Sequence, residues 1–551
     1  MLVADAAVAV PDYVIVGQAD GAAPDATSAP SGMTPTEMRD AYGVNLITFA
    51  GGTIVGDGTG ETIAIVDAYD DPAFVNSTSA NFGTSDLAMF DAYFGLPNPP
   101  SFTKVNQTGG TALPGTDPAG AGNPNGNWEV EEALDVEWAH AMAPGASIVL
   151  VEATSASNAN LDVAIQTAAS LSGVVVVSMS FGSIESPILH ETTRDTSDFA
   201  TASTTGGITF VASTGDKGNP GGYPAFSPDV VAVGGTTLNL DASGNYVSET
   251  GWSGSGGGIS KYESQPSYQS GVVSQFSTTK RTTPDISLDA DPYTGASVYD
   301  SYNNSPSDPW EQIGGTSLAA PMMSALIAVI DQGRAVNGLS SLSGRTQTLP
   351  LLYSLSANDF HDITSGSNGS GSNAGPGYDL VTGRGSPVAN LLVADMSMAF
   401  TVTSVTPAAG AVVTTPPADF TAQFDESIDS STVQASDLKV NGIVASSFTL
   451  DASTDSITFH FNASPVTSAG TQTIAIAAGA IDRLGSDDPV TAFTSTFTYD
   501  TGPTVLEVAV SGSTWDPSYL AYLDSLGLWT PAVPDLGYAL GVAGLQTNTV
   551  P

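Results

Sequence analysis

Two hydrophobic patterns divide the chain. In the first, apolar residues run without a polar break: TIAIVDAY (62–69), ASIVLVEAT (146–154), GVVVVSMSFG (173–182) and ITFVASTGD (208–216), each closed by small or acidic residues. Runs of this kind predict parallel strands buried on both faces. Between them SDLAMFDAYFG, EVEEALDVEWAHAM and NANLDVAIQTAASL carry apolar residues at helical spacing. Strand followed by helix, repeated, predicts an α/β domain over residues 34–397. Its sheet should be doubly wound and mostly parallel, with ligands gathering beyond the carboxyl ends of the strands. In the second pattern, residues 398–500, the period falls to two: Phe420, Ala422, Phe424; Ile457, Phe459, Phe461; Phe493, Phe497, Tyr499. This predicts an antiparallel all-β sandwich. His460 falls opposite the phenylalanine face and is expected to meet solvent.

The flanks read differently. Residues 1–33 are rich in Ala, Asp, Pro and Gly and suggest a linker or a remnant of a longer segment. Residues 501–551 do not close a domain, and TWDPSYLAYLDSLGL within them predicts a short helix at the start of a further, partial unit.

Charge narrows the picture. Twelve Lys+Arg against 56 Asp+Glu leave a formal net charge of −44. Nucleic-acid backbones would be repelled, so nucleic acid is excluded as a partner. The chain also repels itself at neutral pH, which suits either acid or saline surroundings. There is no cysteine, so the redox compartment cannot be read. A surface rich in Ser, Thr, Asn and Gly is compatible with secretion. No apolar run is long enough for a transmembrane helix. The start, MLVADAAVAVPDYVIV, lacks the basic region of a signal peptide, and an excised part of a longer precursor is expected. A monomer is expected.

Candidate chemistry starts with GGTSLAAPMMSALIAVI (314–330), which places Ser317 at a glycine-rich turn opening an apolar helix. Such a serine can cap the helix or act as a nucleophile, which needs a proton acceptor. Four histidines exist, none in a His-Gly-Thr context, and His140 reads as structural. Acids are the other candidates: Glu129 to Glu137 holds five carboxylates in nine residues. Glu131 and Asp135, four apart, share a helix face with Trp138 and Met142. A pair beside core residues should titrate together. Glu129 and Glu132 are expected to be first-turn surface acids. Glu137 falls near the apolar stripe and reads as a buried structural acid. FHDITSGSNGSGSNAGPGYD has the composition of a flexible linker.

Taken together, GGTSLAAP, TIAIVDAYDDP, EVEEALDVEWAHAMAPGA, VVVVSMSFG, GDKGNPGGYPAFSPDVVAVGGTTL, SGGGISKYESQPSYQ, RTTPDISLDADP and the Gly/Ser-rich stretch resemble the sedolisin family of serine-carboxyl peptidases. These are subtilisin-fold enzymes in which a glutamate replaces the catalytic histidine. The resemblance implies Ser317 as nucleophile, Glu131 as its general base and Asp135 as the residue orienting Glu131. It implies Asp216 as a protonated oxyanion donor, a hydrogen bond only a neutral carboxyl can give. Lys217, beside Asp216, departs from the family's small polar residue and would lower the Asp216 pKa if it pointed inward. Ser180, Phe181 and Gly182 are implied to pair with a peptide backbone. One structural Ca²⁺ is implied, held by Asp362, Ile363, Gly375, Gly377 and Asp379, with residues 365–373 looping out. The resemblance thus implies a secreted, acid-active endopeptidase acting on proteins or peptides. The family's large N-terminal pro-domain has no counterpart in the roughly 33 residues before TPTEMRDAYG. The alternatives are an inactive peptidase fold serving as an adhesion module, and a histidine-dependent subtilisin using His140. VTSVTPAAGAVV and AQFDESIDSSTV resemble bacterial Ig-like repeats, a region that could tether the enzyme to a surface.

Overall fold

The structure, a computed structural model, describes residues 8–16, 26–120, 127–186, 190–369, 372–484 and 488–501, and the strand backbones 504–508 and 538–542. The helix expected in TWDPSYLAYLDSLGL lies outside the described residues. The rest divides into two compact units, one reaching Ala399 and one starting at Phe400.

The first unit is built on an eight-stranded sheet. Its strands are β1 (Thr62–Ala68), β2 (Phe102–Asn106), β3 (Ser147–Ala153), β4 (Val174–Met179), β5 (Thr209–Ser213), β6 (Val230–Leu240), β7 (Tyr246–Gly251) and β8 (Ile286–Asp289). The order is β7-β6-β5-β4-β1-β3-β2, with β8 also against β6. All pairs are parallel except β6 with β7. Helices α1 (Trp128–Met142), α2 (Asn158–Ser170) and α3 (Thr316–Val336) cover it. Alternation along β1 explains the unbroken apolar runs. Ile63 and Ile65 join the core of α1 and α3, while Ala64 and Val66 join that of α2. The chain visits β2 and β3 on one side of β1 and then crosses to β4 on the other. That crossover is a switch point, the place where such sheets bind ligands.

Helix α1 is buried along its whole length, which overturns the surface reading of Glu129 and Glu132. The cause is remote in sequence. Glu129 Oε1 accepts the Asp117 N–H at 2.6 Å, and Glu132 Oε2 accepts the Asp71 N–H at 2.8 Å. These acids hold loops that fold over the helix. Glu137 does the same, accepting the Tyr299 N–H at 2.9 Å.

The second unit is a two-sheet sandwich. One sheet orders the strands Val402–Thr406, Asp419–Phe424, Ser456–His460 and Ser447–Asp451. The other contains Phe493–Tyr499, Gly470–Ile476 and Leu438–Val440. Phe420, Ala422, Phe424, Ile457, Phe459 and Phe497 fill the core between them. His460 lies on the outer face, Nδ1 2.8 Å from Asp419 Oδ1. The sandwich is not wholly antiparallel, because Val412–Val413 pairs parallel with Thr498–Tyr499.

Candidate active site

The carboxyl ends of β1, β4 and β5 bring Asp67, Ser180 and Asp216 towards the start of α3. Gly315 caps that helix with φ +105°, a left-handed value that favours glycine. A Cβ there would also stand 2.4 Å from the Asp12 carbonyl oxygen and 2.5 Å from Asp216 Oδ2. Ser317 is the second residue of α3 and makes no capping bond, so the capping alternative falls. Its N–H is one of the free donors of a helix start and points to the Asp12 carbonyl, 2.9 Å away. Pro321, inside the helix, has no N–H to give the Ser317 carbonyl four residues back. That carbonyl lies 3.4 Å from the Ser180 hydroxyl.

Glu131 and Asp135 are fully buried beside this serine. Burial pushes both carboxyls well above the usual range. Asp135 and Asp67 push Glu131 further, while the Ser317 hydroxyl eases it down. For Asp135 the nearby Asp67 adds to the rise, and the hydrogen bond from Ser180 offsets part of it. Ser180 Oγ donates to Asp135 Oδ1 at 2.7 Å. Ser317 Oγ donates to the Ser180 carbonyl at 3.3 Å, a long bond that must break before the hydroxyl can turn to Glu131, whose oxygens are buried without a hydrogen-bond partner. Asp67 itself is pushed up to about 8 by burial. It was not singled out in the sequence, although it is the acid that ends the TIAIVDAY strand.

Asp216 Oδ1 accepts both the Thr316 N–H (2.8 Å) and the Thr316 hydroxyl (2.9 Å). Oδ2 is left buried without a partner, beside the Asp12 carbonyl. Burial, then the neighbouring Asp12, raise this carboxyl well above its ordinary value. The Lys217 side chain is exposed, and its charge is the weakest of the influences on Asp216. The neutral acid therefore prevails in acid, with Oδ2 the oxygen free to carry the proton.

Residues 8–16 lie within this site rather than in a linker. Val10 and Pro11 pair antiparallel with Gly182 and Phe181, and the Asp12 N–H donates to the Ser180 carbonyl at 3.3 Å. Beyond Asp12, Val14 and Ile15 pair with Gly314 and Ile313. The chain thus passes Ser317 and continues on both sides. VAVPDYVIV is an apolar, extended-forming island in an Ala/Asp/Gly-rich stretch, a signal that composition averaged away.

His140 is fully buried at the far end of α1, its Nε2 2.8 Å from the Pro97 carbonyl and 3.1 Å from Asp91 Oδ1. Those partners belong to another part of the core, which removes it as a base for Ser317. Four of the five implied metal ligands are joined in two pairs by hydrogen bonds. Gly377 N–H donates to Asp362 Oδ1 and Gly375 N–H to Asp379 Oδ2, both at 3.0 Å. Val381 and Thr382 N–H groups fix Asp379 Oδ1 at 2.8 Å. Two carboxylates and the neighbouring carbonyls are hard oxygen donors, a set that fits calcium. The described part of 365–373 does not loop out. Ser365 O accepts from Gly251 N at 2.8 Å, and buried Asn368 donates to the Leu380 carbonyl at 3.1 Å.

A doubly wound parallel sheet, a serine on the helix that starts at its carboxyl edge, and buried carboxyls clustered around that serine define a serine–carboxyl variant of the subtilisin fold. Residues 58–349 match the subtilase family and residues 397–501 a bacterial Ig-like domain. Sedolisin of Pseudomonas sp. (strain 101) is 33% identical over 375 residues, 62% of this chain and 61% of that protein. Kumamolisin of Bacillus sp. (strain MN-32) is 32% identical over 412 residues, 69% of this chain and 67% of that protein. A tripeptidyl-peptidase 1 of Dictyostelium discoideum is 31% identical over 342 residues, 56% and 51% of the two chains. A solved Pseudomonas sedolisin, a serine-carboxyl proteinase in complex with two molecules of pseudo-iodotyrostatin, superposes with a TM-score of 0.53 at 30% identity. It covers 66% of this chain and 98% of its own. The chain belongs to the sedolisin family of subtilases, and carries a bacterial Ig-like domain after the peptidase-like unit.

Proposed function

We propose that the protein is an acid-active serine endopeptidase. The supporting observation is the pose of its own segment 8–16, whose Asp12 carbonyl meets the Ser317 N–H at 2.9 Å with Asp216 Oδ2 alongside. Ser317 Oγ attacks the carbonyl carbon of a peptide so placed, and Glu131 takes the proton. Asp135 and Asp67 set the charge that Glu131 can carry. The oxyanion is met by Ser317 N–H and by protonated Asp216, contributions worth several kcal/mol in comparable sites. Glu131 returns its proton to the leaving amine, an acyl-enzyme remains, and water releases it by the reverse sequence. An endopeptidase is favoured because the segment runs on past Ser317 in both directions. The tripeptidyl-peptidase relative makes exopeptidase cleavage the second reading, and the sizes of products from a long substrate separate the two.

We further propose a structural Ca²⁺ held by Asp362, Ile363, Gly375, Gly377 and Asp379. When bound it supplies charge that ties residues 362–379 together. Secretion and a monomeric state complete the reading. Among the described residues no helix is long and apolar enough to cross a membrane.

The test is a casein digest with a pH–rate profile of the wild type beside Ser317→Ala. The expected outcome is activity that peaks in acid and vanishes in the variant with the fold unchanged. A neutral-peaked or flat profile refutes the mechanism. Absence of turnover at every pH leaves the adhesion-module reading.

A further inference from the structure

The segment in the cleft also shows what the cleft reads. Val10 opposite Gly182, Asp12 N–H on the Ser180 carbonyl and the Asp12 carbonyl on Ser317 N–H fix Asp12 as the residue whose carbonyl would be attacked. Its side chain is therefore the one that the wall next to Ser317 recognises. Asp12 as a whole is 8% exposed. It lies between two glycines: a Cβ on Gly182 would stand 3.3 Å from Oδ2 and one on Gly215 3.9 Å from Oδ1. At its end Ser213, itself 2% exposed, donates Oγ–H to Oδ2 at 2.9 Å. Lys217 lines a cleft of about 400 Å³ that Val10, Asp12, Gly182 and Gly215 also line.

We infer that this cleft selects a carboxylic acid, aspartate or the longer glutamate, as the residue before the scissile bond, with Ser213 and Lys217 as its specificity-determining residues. The selection works against alternatives as well as for the acid. A leucine would leave the buried Ser213 hydroxyl unpaired. A lysine would face Lys217. The acid enters in its neutral form: burial pushes the Asp12 carboxyl up to about 7, with Ser213 and Lys217 opposing the rise. The other titratable groups facing it are Asp216 and Glu131. A free aspartate titrates near about 4, so binding takes up a proton. Affinity is full below about pH 4 and is lost as pH rises towards 7. Asparagine has the same shape and does not titrate.

This inference rests on the peptidase reading, and the test keeps the two apart. Peptides Val-Ala-Val-Pro-Xaa-Tyr-Val-Ile, with Xaa as Asp, Glu, Asn, Leu or Lys, are given to the full chain at about pH 4 and about pH 6. Asp and Glu peptides should exceed Leu and Lys in kcat/KM at least about tenfold at the lower pH. The Asp-to-Asn ratio should fall at least about tenfold at the higher pH, mainly through KM. Ser213→Ala should erase the advantage over Leu, and Lys217→Ala should raise cleavage of the Lys peptide. Equal rates for Asp and Leu, or a constant Asp-to-Asn ratio, overturn the inference and leave the peptidase reading standing. In parallel, amide exchange at residue 12 is followed in the Ser317→Ala chain. Protection should survive Asp12→Glu and drop at least about tenfold in Asp12→Lys. That difference without cleavage of any peptide would refute the peptidase reading alone; equal exchange in both variants overturns the acid selection.

Discussion

Asp216 and Glu131 are both buried acids, yet the proposed mechanism asks opposite things of them. Asp216 must hold its proton, and Glu131 must be able to give its own up. The fixed orientation of Asp216 makes a sharp prediction. Because Thr316 binds Oδ1 twice, Asp216→Asn would keep its carbonyl there and put the amide N–H₂ where Oδ2 stood. That donor does not titrate. The alkaline fall in activity should therefore flatten in this variant, in a pH–rate profile compared with wild type. In the wild type the raised Asp216 pKa means the donor is present in acid and lost as pH rises through it. Glu131→Gln should lower kcat by about 10²–10⁴ with little change in KM, read from steady-state kinetics. The Glu131–Asp135 spacing was legible in the sequence, since four residues return a helix to the same face. The neighbouring Glu129 and Glu132 were misread because their partners, Asp117 and Asp71, come from loops that periodicity does not see.

At the scale of elements, β1, β3, β4 and β5 were visible because each is an apolar run buried on both faces, whereas β7 is partly exposed and carries no such run. The segment ending at Asp379 was harder. Its Gly/Ser/Asn composition describes how little it buries, whereas its order comes from single contacts such as Asn368 with the Leu380 carbonyl. The proposed ion would add to these contacts by drawing the carboxylates of Asp362 and Asp379 into one site. EDTA is expected to lower Tm by several degrees, reversed by added Ca²⁺, as measured by calorimetry at about pH 5. Helix α3 carries a second element-scale prediction. Gly315→Ala combines a positive φ with contacts of 2.4 and 2.5 Å, so activity should be lost and stability should fall by about 1–3 kcal/mol. Denaturant unfolding checks the latter.

For the whole molecule, a net charge of −44 did not separate acid from salt as the medium that relieves repulsion. Burial does. Asp86 is pushed up to about 6, Glu129 and Glu311 to about 7, and Asp67 to about 8, in each case first by burial. Asp71, Asp86 and Asp300 offer ligand oxygens within 4.8 Å of one another. Salt screens exposed charges and leaves buried ones largely untouched. A carboxyl whose folded pKa is raised adds stability that is complete below its unfolded pKa of about 4 and is lost as pH climbs through the folded value. Tm should therefore be highest in acid and decline between about pH 5 and 8, and added salt at neutral pH should restore little of it. A Tm that rose towards neutrality would contradict this.

The strand Val10–Pro11 against Phe181–Gly182 has a consequence for kinetics. A ligand joined to its own receptor meets it at a fixed local concentration. Dilution cannot displace it. Peptides added from outside compete with that internal partner, so apparent KM values are inflated while the tether is intact. Once the tether is severed the local concentration collapses. Progress curves should then begin with a lag whose length does not depend on enzyme concentration.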